Sequence, residues 1–230
     1  SPQLQRLVAR CLDRMSVELK RRGDAAYLPT IEEARALREA VVAAAPSTDA
    51  WIELSLSFVA MAEELERQGD EAGRARWLAR LDEAIRTMGQ STESMAMEDS
   101  DRFVSILLMR VGTLRTDAVG VIPLFEQIER VLHRSFERRP SRLSEVLNWI
   151  GAAWQLVAAY ERAERLPSAF AKAQEALQVV QAAERIWSHD FGVMRSGMAC
   201  RRELALMAER HAQPGIEVDA LLDAAAAIAP

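Results

Sequence analysis

Leu4, Leu7, Val8, Cys11, Leu12, Met15 and Leu19 recur at intervals of three and four residues, the spacing that gathers side chains on one face of an α-helix. The run ends at Gly23-Asp24. Glycine there accepts the left-handed backbone that closes a helix. After a tight segment with Pro29 and Thr30, a second stripe passes through Ile31, Ala34, Leu37, Val41 and Val42, and Pro46 stops it. The first 46 residues are therefore predicted to form a helical hairpin.

The plan repeats. A helix with Trp51, Leu54, Phe58, Met61 and Leu65 closes at Gly69, and its partner carries Trp77, Leu78, Leu81, Ala84, Ile85 and Met88 as far as Gly89. A third pair runs from about Ser94 through Phe103, Leu107, Leu108 and Val111, turns near Thr116-Asp117, and returns through Ile122, Phe125, Ile128 and Leu132. The fourth carries Leu147, Ile150, Trp154 and Val157, turns at Leu166-Pro167, and continues with Phe170, Leu177, Val180 and Ile186. The fifth climbs through Met194, Met198 and Leu204, turns at Pro214-Gly215, and ends in Val218, Leu221, Leu222 and Ile228. The string E-L-x-R-x-G-D stands at 18–24 and again at 64–70, the same corner of two successive repeats. A fixed period of this size marks a stacked array in which each hairpin buries its apolar face on the next. The expected fold is an all-α superhelix of about five antiparallel hairpins, at 1–46, 47–90, 91–140, 141–187 and 188–230.

Three first helices share a finer pattern: Leu12-x-x-Met15-Ser16-x-x-Leu19, Phe58-x-x-Met61-Ala62-x-x-Leu65 and Trp154-x-x-Val157-Ala158-x-x-Glu161. This resembles the large-large-small-large signature of tetratricopeptide (TPR) repeats, with Ala34, Val41 and Pro46 at matching places on the first second helix. TPR units span about 34 residues, and these are longer. The third repeat departs from the signature at its small position, and the fifth has Arg201 where a large apolar residue belongs. Long Ala- and Arg-rich repeats of this kind look like those attached to bacterial signalling, regulatory or defence proteins.

Composition agrees with helices: half of the 230 residues are hydrophobic, 6% are aromatic, and only 10 Gly and 8 Pro interrupt them. A formal charge of −5 argues against a general nucleic-acid binder. Cys11 and Cys200 lie far apart in apolar patterns and are expected as small core residues in a reducing compartment. No long apolar run or signal-peptide pattern is seen, so the expected location is cytoplasmic and off the membrane. The opening Ser1 raises the expectation of a piece of something longer.

Candidate chemistry is sparse. Phosphate-binding glycine loops, zinc-spaced cysteines and H-E-x-x-H are all missing, so neither cofactor nor metal nor enzymatic activity is expected. His133, His189 and His211 are expected at helix ends or on the surface. Glu98, Asp99 and Asp101 read as the acidic opening of a helix. Arg130, Arg134, Arg138, Arg139 and Arg142 form a basic face that suits an acidic partner, set against Glu126, Glu129 and Glu137 nearby. Methionines and tryptophans at helical spacing are expected in the core, with Trp149 standing out because Trp154 takes the repeat's core position.

The resemblance implies a scaffold whose first helices line a concave groove for a peptide segment or a neighbouring domain. Carried over by spacing, the partner-facing positions are Asp13, Val17 and Lys20; Val59, Glu63 and Glu66; Gln155, Ala159 and Arg162; and Arg202, Leu206 and Glu209. Two alternatives stand beside this. One is a regulatory arm that controls an attached effector, and the other is homo-oligomerisation through an apolar face such as Leu221, Leu222 and Ile228.

Overall fold

A computed structural model describes residues 1–90, 92, 94–114 and 117–228. Among these there are ten helices and no strand: α1 (Pro2–Arg21), α2 (Tyr27–Ala44), α3 (Thr48–Gln68), α4 (Glu71–Gly89), α5 (Met97–Leu114), α6 (Ile122–Arg138), α7 (Leu143–Arg162), α8 (Leu166–Ile186), α9 (Phe191–Arg210) and α10 (Val218–Ala226). None is long and apolar enough to cross a membrane. The chain divides into two compact units, Ser1–Thr113 and Leu114–Pro230.

In the first unit α1 packs on α2, α2 on α3, and α3 on α4. α1 with α2 and α3 with α4 make two antiparallel hairpins. Their two corners close alike. Gly23 and Gly69 adopt φ of 70° and 76°. The N–H of Asp24 reaches the Leu19 carbonyl at 3.0 Å, and that of Asp70 reaches Leu65 at 2.9 Å. Each corner thereby satisfies carbonyls that a helix end would leave orphaned. Beyond the second corner Asp70 caps α4 at once, accepting from Gly73 N at 2.8 Å. The core of this unit runs through Ala34, Val41, Ile52, Leu54, Phe58, Met61, Leu81 and Met88, all nearly solvent-free. Each large apolar side chain so buried contributes about 1.5–3 kcal/mol. α5 is tied back by ion pairs, Arg110 Nε to Asp82 at 2.6 Å and Arg102 to Asp49.

One stripe behaves unexpectedly. Leu4, Leu7, Val8 and Met15 are 59%, 61%, 39% and 48% exposed, and Cys11 is exposed as well. α1 instead buries Ala9 and Ser16 against its neighbours, because small residues allow the closer approach. Cys11 is thus a surface thiol and not the core residue expected, whereas Cys200 is buried.

In the second unit α6 packs on α7, α7 on α8, α8 on α9, and α9 on α10. α7 with α8 and α9 with α10 make two hairpins. The expected third hairpin, 91–140, is split between the units, and part of its turn (Arg115 and Thr116) lies outside the described residues, as do Ala229 and Pro230. The turn expected at Leu166-Pro167 falls slightly earlier, where Glu164 has φ 58°, because Pro167 stands inside the first turn of α8. The fourth repeat is also registered differently. Trp149, Ala153 and Leu156 are buried to 2% or less, while Trp154 is half-buried and Ala158 exposed. Trp149 therefore takes the large core position that the sequence pattern gives to Trp154.

Arg201, which breaks the apolar pattern of the fifth repeat, is 8% exposed and pairs with Glu184 of α8 through two 2.7 Å contacts. Gly197 makes room for this pair, since a Cβ there would stand 1.8 Å from Glu184 Oε1.

Candidate functional site

The first unit carries a groove of about 470 Å³ floored and walled by α1, α2 and α3, with Arg102 of α5 at one end. Four of the expected partner-facing residues line it together: Asp13, Val17, Lys20 and Glu63. Val17 and Leu56 present exposed apolar surface in it, at 64% and 42% exposure. Glu63 is exposed on the rim.

The floor is ionic. Glu53 is held by Arg10, and Arg38 spans from α2 to Asp13 of α1 and to Ser57 Oγ of α3, the latter at 2.9 Å. Arg38 is 7% exposed, and its Nε is buried without a hydrogen-bond partner. At the far end Glu64 is almost completely enclosed. It accepts from Arg67 Nε at 3.1 Å, Gln68 Nε2 at 2.9 Å, the Tyr27 hydroxyl, and Lys20 Nζ at 3.2 Å. The hydrogen bond from Arg67 is the largest influence and outweighs the opposing cost of burial; with Tyr27 and Lys20 it holds Glu64 at about 2. Glu64 therefore stays ionised, and the rim keeps the cations Arg10 and Lys20 in water.

In the second unit the corresponding groove lies between α7 and α9, about 520 Å³, and contains Gln155 of the expected positions. Its floor is apolar. Trp154 Nε1 donates to Cys200 Sγ at 2.7 Å, and burial pushes the Cys200 thiol up to about 11, which leaves it protonated and inert.

The remaining expected positions are scattered. Val59 and Ala159 are buried, at 6% and 0% exposure, and face the core. Glu66 is half-buried, 3.6 Å from Arg74. Arg162, Arg202 and Glu209 are exposed and line neither groove, and Leu206 is half-buried. Leu221, Leu222 and Ile228 are half-buried rather than an open face. On the basic face Arg130, Arg138 and Arg142 are exposed, and Arg134 and Arg139 half-buried. The acids nearby also meet other partners. Glu126 accepts from Tyr160, Glu129 from Trp149 and Lys172, and Glu137 lies 3.4 Å from His133. Glu98 and Asp99 stand in the first turn of α5, as an acidic helix opening should.

Sequence reasoning missed Glu53, Arg38 and Leu56 of the first groove. Glu53 and Leu56 lie a turn apart on α3 and continue the stripe that ends in Glu63, so the signal was present once α3 was known to face α1. Arg38 falls at the three-and-four spacing of Ala34, Val41 and Val42 on α2, so its signal was a charge in line with an apolar stripe.

The fold is a series of antiparallel helical hairpins packed in sequence within each unit. No family model matches the chain. No curated protein matches it either. Among solved structures it is similar to a "putative kinesin light chain" with nearly identical TPR-like repeats from Podosopora anserina, at a TM-score of 0.41 and 16% identity over 99% of this chain and 96% of that one. A point variant of the same protein gives a TM-score of 0.39 at 16% identity, over 95% and 93%.

Proposed function

We propose that the chain is a non-enzymatic interaction module that holds a segment of a protein partner, or of a neighbouring domain, in the groove between α1 and α3. The observation that carries this reading is the exposed apolar pair Val17–Leu56 set in a concave ionic frame, with the unpartnered Arg38 Nε beneath. Helical repeats present concave surfaces of this kind to extended or helical segments. An apolar side chain would seat on Val17 and Leu56, and Arg10, Lys20 and Glu63 would set register by charge. A cytoplasmic regulatory arm acting on an attached effector is the same contact made within one polypeptide.

The test is affinity capture from source lysate with chemical cross-linking, comparing the intact chain with Val17→Asp and with Glu63→Lys. Both substitutions sit on exposed positions and should leave the helical circular dichroism unchanged. A partner cross-linked along the groove and lost from both variants supports the reading. A partner retained by both, and cross-linked to the Arg130–Arg142 face, refutes it.

Self-association has one specific observation in its favour, the exposed apolar stripe of α1. Sedimentation equilibrium of the intact chain against Leu7→Glu measures it, and a monomer at all concentrations rules it out.

A further inference from the structure

Away from both grooves, α6 and α8 bring three ligand-type side chains together, two of them against Trp149. Glu129 and His133 stand four residues apart on α6, the spacing that turns both to one side of a helix. Glu175 joins them from α8. The donor atoms of the three all lie within 4.8 Å of one another. Two atoms bound to one first-row ion at about 2.0–2.2 Å stand roughly 3–4.4 Å apart, so small side-chain rotations close the remaining gap.

The surroundings suit a ligand set. The Glu129 side chain is 14% exposed, and Trp149 Nε1 donates to its Oε1 at 2.8 Å, which fixes the carboxylate. His133 packs edge-on to Trp149, and its Nε2 lies 3.4 Å from Glu137. A proton on Nε2 shared with Glu137 leaves the lone pair on Nδ1. That Nδ1 is buried and has no hydrogen-bond partner. An outer carboxylate on one ring nitrogen with the other left open is how proteins orient a ligating imidazole.

Lys172 explains why the acids do not repel each other. Its ammonium sits 2.7 Å from Glu175 and 3.3 Å from Glu129. It satisfies both carboxylates but does nothing for the imidazole, which a dication would also engage. We propose that Glu129, His133 and Glu175 form a site for a first-row divalent transition ion, with Lys172 as a built-in competing cation that swings to solvent on binding. The imidazole selects Zn²⁺ or its transition-metal neighbours over Mg²⁺ and Ca²⁺, which prefer oxygen alone. Occupation would staple α6 to α8 across α7.

The experiment is calorimetric titration of the full chain with Zn²⁺, with Co²⁺ visible absorption to report nitrogen and oxygen ligation. The wild-type chain should bind one equivalent. His133→Ala should weaken binding by at least about tenfold, the scale on which imidazole orientation alone matters. Lys172→Met should tighten it by about tenfold or more, because it removes the competitor and keeps every ligand. No binding by the wild-type chain overturns the proposal. So does binding that His133→Ala leaves unchanged, or a Lys172→Met chain that binds Zn²⁺ no tighter. Circular dichroism of each metal-free variant checks folding. Should His133→Ala unfold, the wild-type and Lys172→Met titrations decide the matter by themselves.

Discussion

The two copies of E-L-x-R-x-G-D form the same corner and live in different environments. In both, the glutamate meets the arginine three residues on: Glu18 with Arg21 at 2.9 Å, and Glu64 with Arg67. The Glu18 side chain is 52% exposed, while that of Glu64 is 1% exposed. The difference comes from the preceding hairpin. Lys20 and Tyr27 of the first corner reach across to cover Glu64 of the second, and nothing described covers Glu18 in the same way. A repeated string thus becomes a surface ion pair once and a buried junction once. What stacking adds is not the pair itself but its removal from water, which makes its completeness matter.

The largest expected effect is therefore at Glu64. Glu64→Gln leaves Arg67, Lys20 and Tyr27 pointing at an amide, and should cost on the order of 3 kcal/mol at pH 7, the size of a carboxylate held at about 2 against an ordinary 4.5. The sign follows from the direction of the shift. A depressed carboxylate contributes stability that is fully present above about 4.5 and is lost as pH falls toward about 2. Urea unfolding between pH 7 and pH 2.5 should show this slope in the wild-type chain and a flatter one in the variant. Equal slopes would place the acid sensitivity elsewhere. Next in size is Tyr27→Phe, which removes one donor to a buried charge while keeping the ring; a loss of about 1.5 kcal/mol is expected in the same assay.

Much of this is legible in the sequence. The helices, the corners at Gly23 and Gly69 and the stop at Pro46 all follow from periodicity and from residues with unusual backbone freedom. Burial at depth did not follow. Glu18 and Glu64 occupy identical places in the motif, and only the packing of one hairpin on the next separates them. The same limit explains Trp149 and Trp154. Two tryptophans five residues apart each begin an acceptable helical stripe, and the choice is made by Ala153, which lets α7 approach its neighbours. Of the expected positions, spacing brings Asp13, Val17, Lys20 and Glu63 to one groove. Arg162, Arg202 and Glu209 line neither groove, because the large core position of α7 falls at Trp149, five residues before Trp154, and on α9 Arg201 turns inward to Glu184.

The corners themselves supply a control that should not distinguish the copies. Neither glycine has any atom within 4 Å of where a Cβ would stand, so alanine costs only the left-handed backbone. Gly23→Ala and Gly69→Ala should each lose about 1 kcal/mol. Unequal losses would mean that the corners differ in more than the cover over Glu64.

The smallest effect is the most telling. Glu18→Gln removes the same kind of i,i+3 pair that Glu64→Gln does, at the same place in the same string. Both ends of the Glu18–Arg21 pair lie mostly in water, where Coulomb attraction is weak and ordering two long side chains offsets it. The expected loss is within about 0.5 kcal/mol, and what little there is should shrink in 0.5 M salt, where exposed charges are more strongly screened. Chemical unfolding at low and high salt measures it. A loss comparable to that of Glu64→Gln would show that the motif carries its own stabilisation, and the covering residues Tyr27 and Lys20 would then have to be given another role.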